Sequence, residues 1–125
     1  MRITLISDTH NYHKKITQDL PGGDLIIHAG DLTSRGYQHE IREFCKWYNE
    51  LYKYDNKVFI AGNHDWGFQD QIEKTNEILA FYDKIDYIQD SLFMVGEEYQ
   101  DMVQIYGTPW QPEFYNWAFN LPKNG

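Results

Sequence analysis

The sequence predicts an α/β fold with a mostly parallel sheet, and three observations carry that expectation. Three short apolar runs each end in a polar turn that bears glycine or histidine. The runs are continuous rather than alternating, as in strands covered on both faces. Apolar residues at helical spacing lie between and after them.

In chain order, Ile3 to Ile6 reads as the first strand and runs into Ser7-Asp8-Thr9-His10. The segment 11–23 is polar and closes on Pro21-Gly22-Gly23, a turn signal that leaves room for a short helix at most. Leu25 to His28 forms the second strand and ends in Ala29-Gly30-Asp31. Ile41, Phe44, Tyr48 and Leu51 share one face of a helix over 38–53. Val58 to Ala61 is the third strand and runs into Gly62-Asn63-His64-Asp65. Ile72, Thr75, Leu79 and Tyr82 repeat the helical pattern over 68–83. Alternation of strands and helices points to βαβ units.

Beyond residue 85 the texture changes. Tyr87-Ile88, Ser91 to Val95 and Met102 to Tyr106 read as short strands with hairpin-like pairing around a Gly96-Glu97-Glu98 turn. The tail over 108–119 is aromatic-rich and irregular.

A chain of 125 residues fits one domain. Its 42% hydrophobic content sets it apart from disordered chains. A net charge of -8 argues against a duplex nucleic-acid footprint, which needs a basic face. The acidity reads as a solvated surface, with some carboxylates available to cations. Cys45 is the single cysteine, which excludes an intrachain disulfide and a cysteine cage, and its helix-patterned surroundings make it core filler. The first apolar run is too short for a secretory or membrane-spanning segment, so a soluble cytoplasmic protein with no membrane partner is expected.

The chemistry collects where ligands bind in open α/β sheets, at the carboxyl ends of the strands. The three turns supply carboxylates, imidazoles and a carboxamide without a thiolate, a set suited to Mn²⁺, Fe or Zn²⁺. Asp8 and His10, two apart on an extended segment, can present their side chains to one ion. Each motif alone has an ordinary reading as a turn or helix cap. All three in order, each after a buried-looking strand, favour a site.

Those motifs, Asp8-Thr9-His10, Gly30-Asp31 and Gly62-Asn63-His64-Asp65, resemble those of the calcineurin-like metallophosphoesterase superfamily. The text around them, with Tyr106-Gly107-Thr108-Pro109-Trp110 and Trp117-Ala118-Phe119-Asn120, is similar to its small branch linked to cyclic nucleotide hydrolysis. The resemblance implies two divalent transition metals (Mn, Fe or Zn) and hydrolysis of a phosphoester, with a cyclic nucleotide as one candidate. Asp8 and His10 would bind the first metal and Asp31 would bridge both. Asn63 would bind the second metal, and His64 would protonate the leaving oxygen. Two cations about 3.5–4 Å apart can activate a water and stabilise the attacking and leaving oxygens together. Asn11, His13 and Asp65 are candidates for supporting the ligands or touching substrate.

The family also uses a lone histidine and a Gly-His-x-His segment further on, and no histidine follows His64 here. His28 reads as a core histidine and His39 as a surface one. The first metal keeps three expected ligands, while the second keeps only Asp31 and Asn63. Against the family's α/β/β/α sandwich, residues 1–125 resemble the N-terminal half, a C-terminally truncated domain. That omission would leave a sheet face open, to be covered by another copy, a partner chain or the aromatic 109–119 tail. Three functions stay open at this point: an enzyme half completed by a partner polypeptide, a reduced stand-alone phosphodiesterase, and a degenerate module that binds metal or nucleotide without turnover.

Overall fold

The computed structural model describes residues 1–97 and 100–122. Strands β1 (Ile3–Ile6), β2 (Gly23–His28), β3 (Tyr54–Phe59) and β4 (Asp86–Tyr87) form one sheet in that order, with every neighbouring pair parallel. The register places Ile6 beside His28 and His28 beside Phe59. The three strands therefore end at one level, which brings the turns that follow them side by side. The α/β architecture is the one the apolar runs imply.

Helix α1 (Gln38–Asn49) lays Ile41, Phe44, Cys45 and Tyr48, all fully buried, against one sheet face. Each such large apolar side chain contributes roughly 1.5–3 kcal/mol. Ile26, Phe59 and Phe68 complete this cluster, and Ala118 and Phe119 of the tail join it. Burial pushes the Cys45 thiol up to about 12, consistent with filler rather than a nucleophile.

Both expected helices are shorter in the structure. Helix α1 stops at Asn49, where the buried Lys57 ammonium donates to the carbonyls of Asn49 (2.6 Å) and Leu51 (3.0 Å). A cation there satisfies carbonyls that a helix end leaves without partners. The helix expected over 68–83 is two helices, α2 (Gly67–Asp70) and α3 (Ile72–Phe81), parted at Gln71, whose φ of -131° is not helical. In the polar segment before β2, a 3-10 helix spans His13–Asp19.

Strands β5 (Ser91–Glu97) and β6 (Gln100–Gly107) form the antiparallel hairpin. Part of its expected turn, Glu98, lies outside the described residues. Tyr87 belongs not to the hairpin but to β4, parallel to β3. The tail is less irregular than expected, since β7 (Gln111–Pro112) pairs with β8 (Asn120–Leu121).

Within this chain, the second sheet face is covered by the hairpin rather than by the tail. Phe93, Val95 and Ile105 of the hairpin pack with Leu25, Ile27, Val58 and Ile60 on it. The tail goes to the other side of the sheet. On the β1 edge coverage is incomplete, with Ile3 and Leu5 exposed, Leu5 at 73%. No helix among the described residues is long and apolar enough to cross a membrane.

Candidate metal centre

The turn after β1 is left-handed at Asp8 (φ 55°), His10 (φ 41°) and Asn11 (φ 71°), and the turn after β2 is so at Asp31 (φ 56°). Such backbone costs about 1–3 kcal/mol per non-glycine residue and persists where surroundings over-determine it. Here main-chain bonds do so: Asp8 N–H donates to the Gly30 carbonyl (2.9 Å), His10 to Asp31 (3.0 Å) and Asn11 to Leu32 (3.0 Å). The first two motifs are thereby zipped together.

The third motif is drawn in by Gly62. A Cβ at that position would stand 2.3 Å from both the amide nitrogen and Oδ1 of Asp31. Only glycine permits that approach. His64 N–H then donates to Asp31 Oδ1 at 3.0 Å.

The donors converge as follows. His10 Nε2 lies 3.7 Å from Asp8 Oδ1 and 4.0 Å from Asp31 Oδ2. The ligand atoms of His10, Asp31 and His64 all lie within 4.8 Å of one another. Bonds of about 2.0–2.2 Å place two ligands of one cation about 3–4 Å apart, which the His10 pairs with Asp8 and Asp31 meet as they stand, while the spread to His64 needs a small side-chain shift. His10 Nδ1 sits 3.2 Å from the Thr33 carbonyl and His64 Nδ1 sits 3.1 Å from the Ser34 carbonyl. A carbonyl only accepts, so both Nδ1 atoms carry the proton. In a neutral ring Nε2 is then free to ligate, the arrangement that supports metal-binding histidines.

The two carboxylates differ. Asp8 is 62% exposed at its side chain and Asp31 15%. The Ser7 hydroxyl beside Asp8 holds its carboxyl below the ordinary range. Burial pushes that of Asp31 up. A cation beside them would favour the ionised form of both.

Asn63 lines a cleft of about 560 Å³ with His64, Arg35, Tyr37, Trp66 and Trp117. Its carbonyl accepts from Ala118 N–H (2.9 Å), which fixes the tail over the third motif. The Trp117 ring centroid stands 4.6 Å from that of His64, and His10 stands 4.8 Å from His64 on another side.

Of the three supporting candidates, Asp65 is fully buried and its carboxylate accepts four bonds. Its donors are Gly62 N–H (2.8 Å), Leu32 N–H (3.1 Å), Thr33 N–H (3.0 Å) and the Thr33 hydroxyl (2.6 Å). Burial raises its pKa and those donors oppose the rise. Asp65 thus staples the second motif to the third. Asn11 donates to the Ser34 hydroxyl (3.0 Å) and to the Glu40 carboxylate. Its amide is engaged with protein rather than presented to a ligand.

His13 departs from the expectation of a substrate contact. Its ring is fully buried against Trp47 and Phe44 and makes no hydrogen bond, because the 3-10 helix turns it beneath α1. A ring with no exposure cannot meet substrate.

Glu40 was not among the candidates, yet it accepts from Asn11, Ser34 N–H (3.2 Å) and Tyr37 N–H (3.0 Å). Burial alone would raise its pKa, and these donors hold it low instead. Its place three residues after Tyr37, at the start of α1, is the capping spacing that could have revealed it.

The chain matches the model of the family described as calcineurin-like phosphoesterase over residues 1–123. It is 34% identical to "Metallophosphoesterase domain-containing protein 1" of Homo sapiens over 98% of this chain and 41% of that protein, with the same figures for Mus musculus. It is also 32% identical to a UPF0046 protein of Caenorhabditis elegans, over 98% of this chain and 36% of the worm protein. The chain therefore spans about two fifths of the length of these relatives.

Proposed function

This chain belongs to the calcineurin-like phosphoesterase family, and from that premise we propose that it hydrolyses a phosphodiester with divalent metals, its second metal position completed by residues from another polypeptide segment. What carries the reading is the convergence of His10, Asp31 and His64, from three different strand ends, within 4.8 Å.

In this reading Asp8, His10 and Asp31 hold the first cation. Asp31 is shared and Asn63 serves the second. A divalent cation (Mn²⁺, Fe or Zn²⁺) supplies Lewis acidity toward the phosphoryl oxygens. His64 lines the cleft with Asn63, and its Nδ1–H is held by the Ser34 carbonyl. With that proton held, Nε2 is the nitrogen left for the leaving oxygen, and it delivers a proton only from the doubly protonated ring. Arg35 on the same cleft offers a charge to a phosphate. A cyclic nucleotide is one substrate of this class, and the cytoplasm is the compartment we assign. The apolar surface left at Leu5 on the β1 edge is where a completing segment or second copy would pack.

The test is hydrolysis of an activated phosphodiester with added Mn²⁺, with and without a polypeptide carrying Gly-His-x-His. Asp31→Asn should abolish turnover, and a variant with wild-type turnover would sink the assignment of Asp31. A second reading is a non-catalytic module that binds metal or nucleotide without turnover. Mn²⁺ binding without turnover under both conditions would select it.

A further inference from the structure

We propose that His28 is a positioning residue for the candidate metal centre, holding the Thr9 hydroxyl, and through it the Asp8-Thr9-His10 turn, against the Gly30-Asp31 turn. The proposal rests on the metal reading above. His28 ends β2 with no exposure at all. Its Nδ1 lies 3.2 Å from Gly30 N and its Nε2 lies 2.8 Å from Thr9 Oγ1. A backbone N–H can only donate, so Nδ1 is the acceptor. The ring proton is on Nε2 and is donated to the Thr9 hydroxyl. One neutral tautomer satisfies both contacts. Phe44 packs edge-on against the ring from the core, with centroids 5.3 Å apart, and resists its rotation.

What the ring holds is a turn that needs holding. Thr9 lies between Asp8 at φ 55° and His10 at φ 41°, both left-handed. The main-chain bonds to Gly30 and Asp31 set how far this turn stands from β2. The Thr9–His28 bond sets how the peptides between Asp8 and His10 are rotated, and so where both side chains point. Any buried imidazole needs partners for its nitrogens; here both partners, Thr9 and Gly30, belong to the two turns that carry candidate ligands.

Thr9→Val deletes the hydroxyl at nearly constant volume, and Thr9→Ser restores it. Mn²⁺ affinity measured by calorimetry should fall about tenfold in Thr9→Val, as for other supports of metal ligands, and should return in Thr9→Ser. The ¹⁵N imidazole spectrum of the metal-free wild type should place the His28 proton on Nε2. Wild-type Mn²⁺ affinity in Thr9→Val, or a proton on Nδ1, would overturn the proposal. The spectrum needs no variant, so it decides even where a substitution prevents folding. If the wild type binds no Mn²⁺, the metal reading fails by itself. Amide exchange at Asp8 to His10 then judges the clamp: faster exchange in Thr9→Val supports it and an unchanged rate refutes it.

Discussion

The two metal positions proposed for the candidate centre would be unequally built. The first draws on Asp8, His10 and Asp31, whose turns are joined by three main-chain bonds and whose imidazole is oriented by the Thr33 carbonyl. The second draws on Asp31 and Asn63, beside a His64 ring that leans on Trp117 of the tail. One position is assembled from a parallel sheet whose strands end together. The other opens onto a cleft beside a tail that is anchored by the buried Ala118 and Phe119. The difference teaches that strand register can bring donors from three local turns together, whereas the looser position depends on how a cleft and a tail are packed beside them.

The largest way to break this comparison is Asp31→Asn, which strikes both positions. Loss of an oriented support costs about 10–100-fold in metal affinity, so loss of the shared ligand should exceed about 100-fold. Calorimetric titration with Mn²⁺ checks this, and a residual tight site would mean that Asp8 and His10 suffice. Asp65→Asn comes next, because it leaves donors from two turns without their carboxylate. We expect a loss of roughly 1–3 kcal/mol in unfolding free energy, read from denaturant melts. Both positions should weaken together, since Asp65 ties the turns that serve them.

Acid sharpens the contrast further. Burial pushes the His28 pKa down from 6.5 to about 3. Between those values the unfolded chain binds a proton that the folded chain refuses. The His28 contribution is therefore fully present above pH 6.5 and is lost as pH falls toward 3. Thermal melts across that range should show the slope, and His28→Phe should flatten it. An unchanged slope would assign the acid sensitivity elsewhere. The smallest effect is expected from Asn63→Ala, which should lower the Mn²⁺ stoichiometry or weaken only the looser site. Equal weakening of both sites would erase the distinction between them.

The strand ends were legible because a continuous apolar run followed by a polar turn is a local signal. So were α1 and the hairpin, whose periodicities are carried by their own residues. What escaped was non-local. The break at Gln71 is backbone geometry that the apolar spacing of Ile72 to Tyr82 does not register. The hairpin's burial against Leu25 and Val58 needs a pairing between distant elements. Likewise, the acceptor role of Asp65 involves Leu32 and Thr33, some thirty residues away. His13 looked like a polar loop residue because nothing nearby reveals that α1 closes over it. Glu40 acts on the site through Asn11 and Ser34, and Trp117 meets His64 from the tail, so no motif at the strand ends pointed to them.

Trp117 resting on His64 has an optical consequence. An indole in contact with an imidazole changes its emission when that imidazole gains a proton, turns or takes a ligand. Of the other tryptophans, Trp66 lines the same cleft, Trp110 packs on Phe119 and Trp47 is almost wholly enclosed. With a Trp117→Phe control, the difference in fluorescence belongs to the His64 side of the cleft. Events at the looser position can then be followed in real time without an added dye.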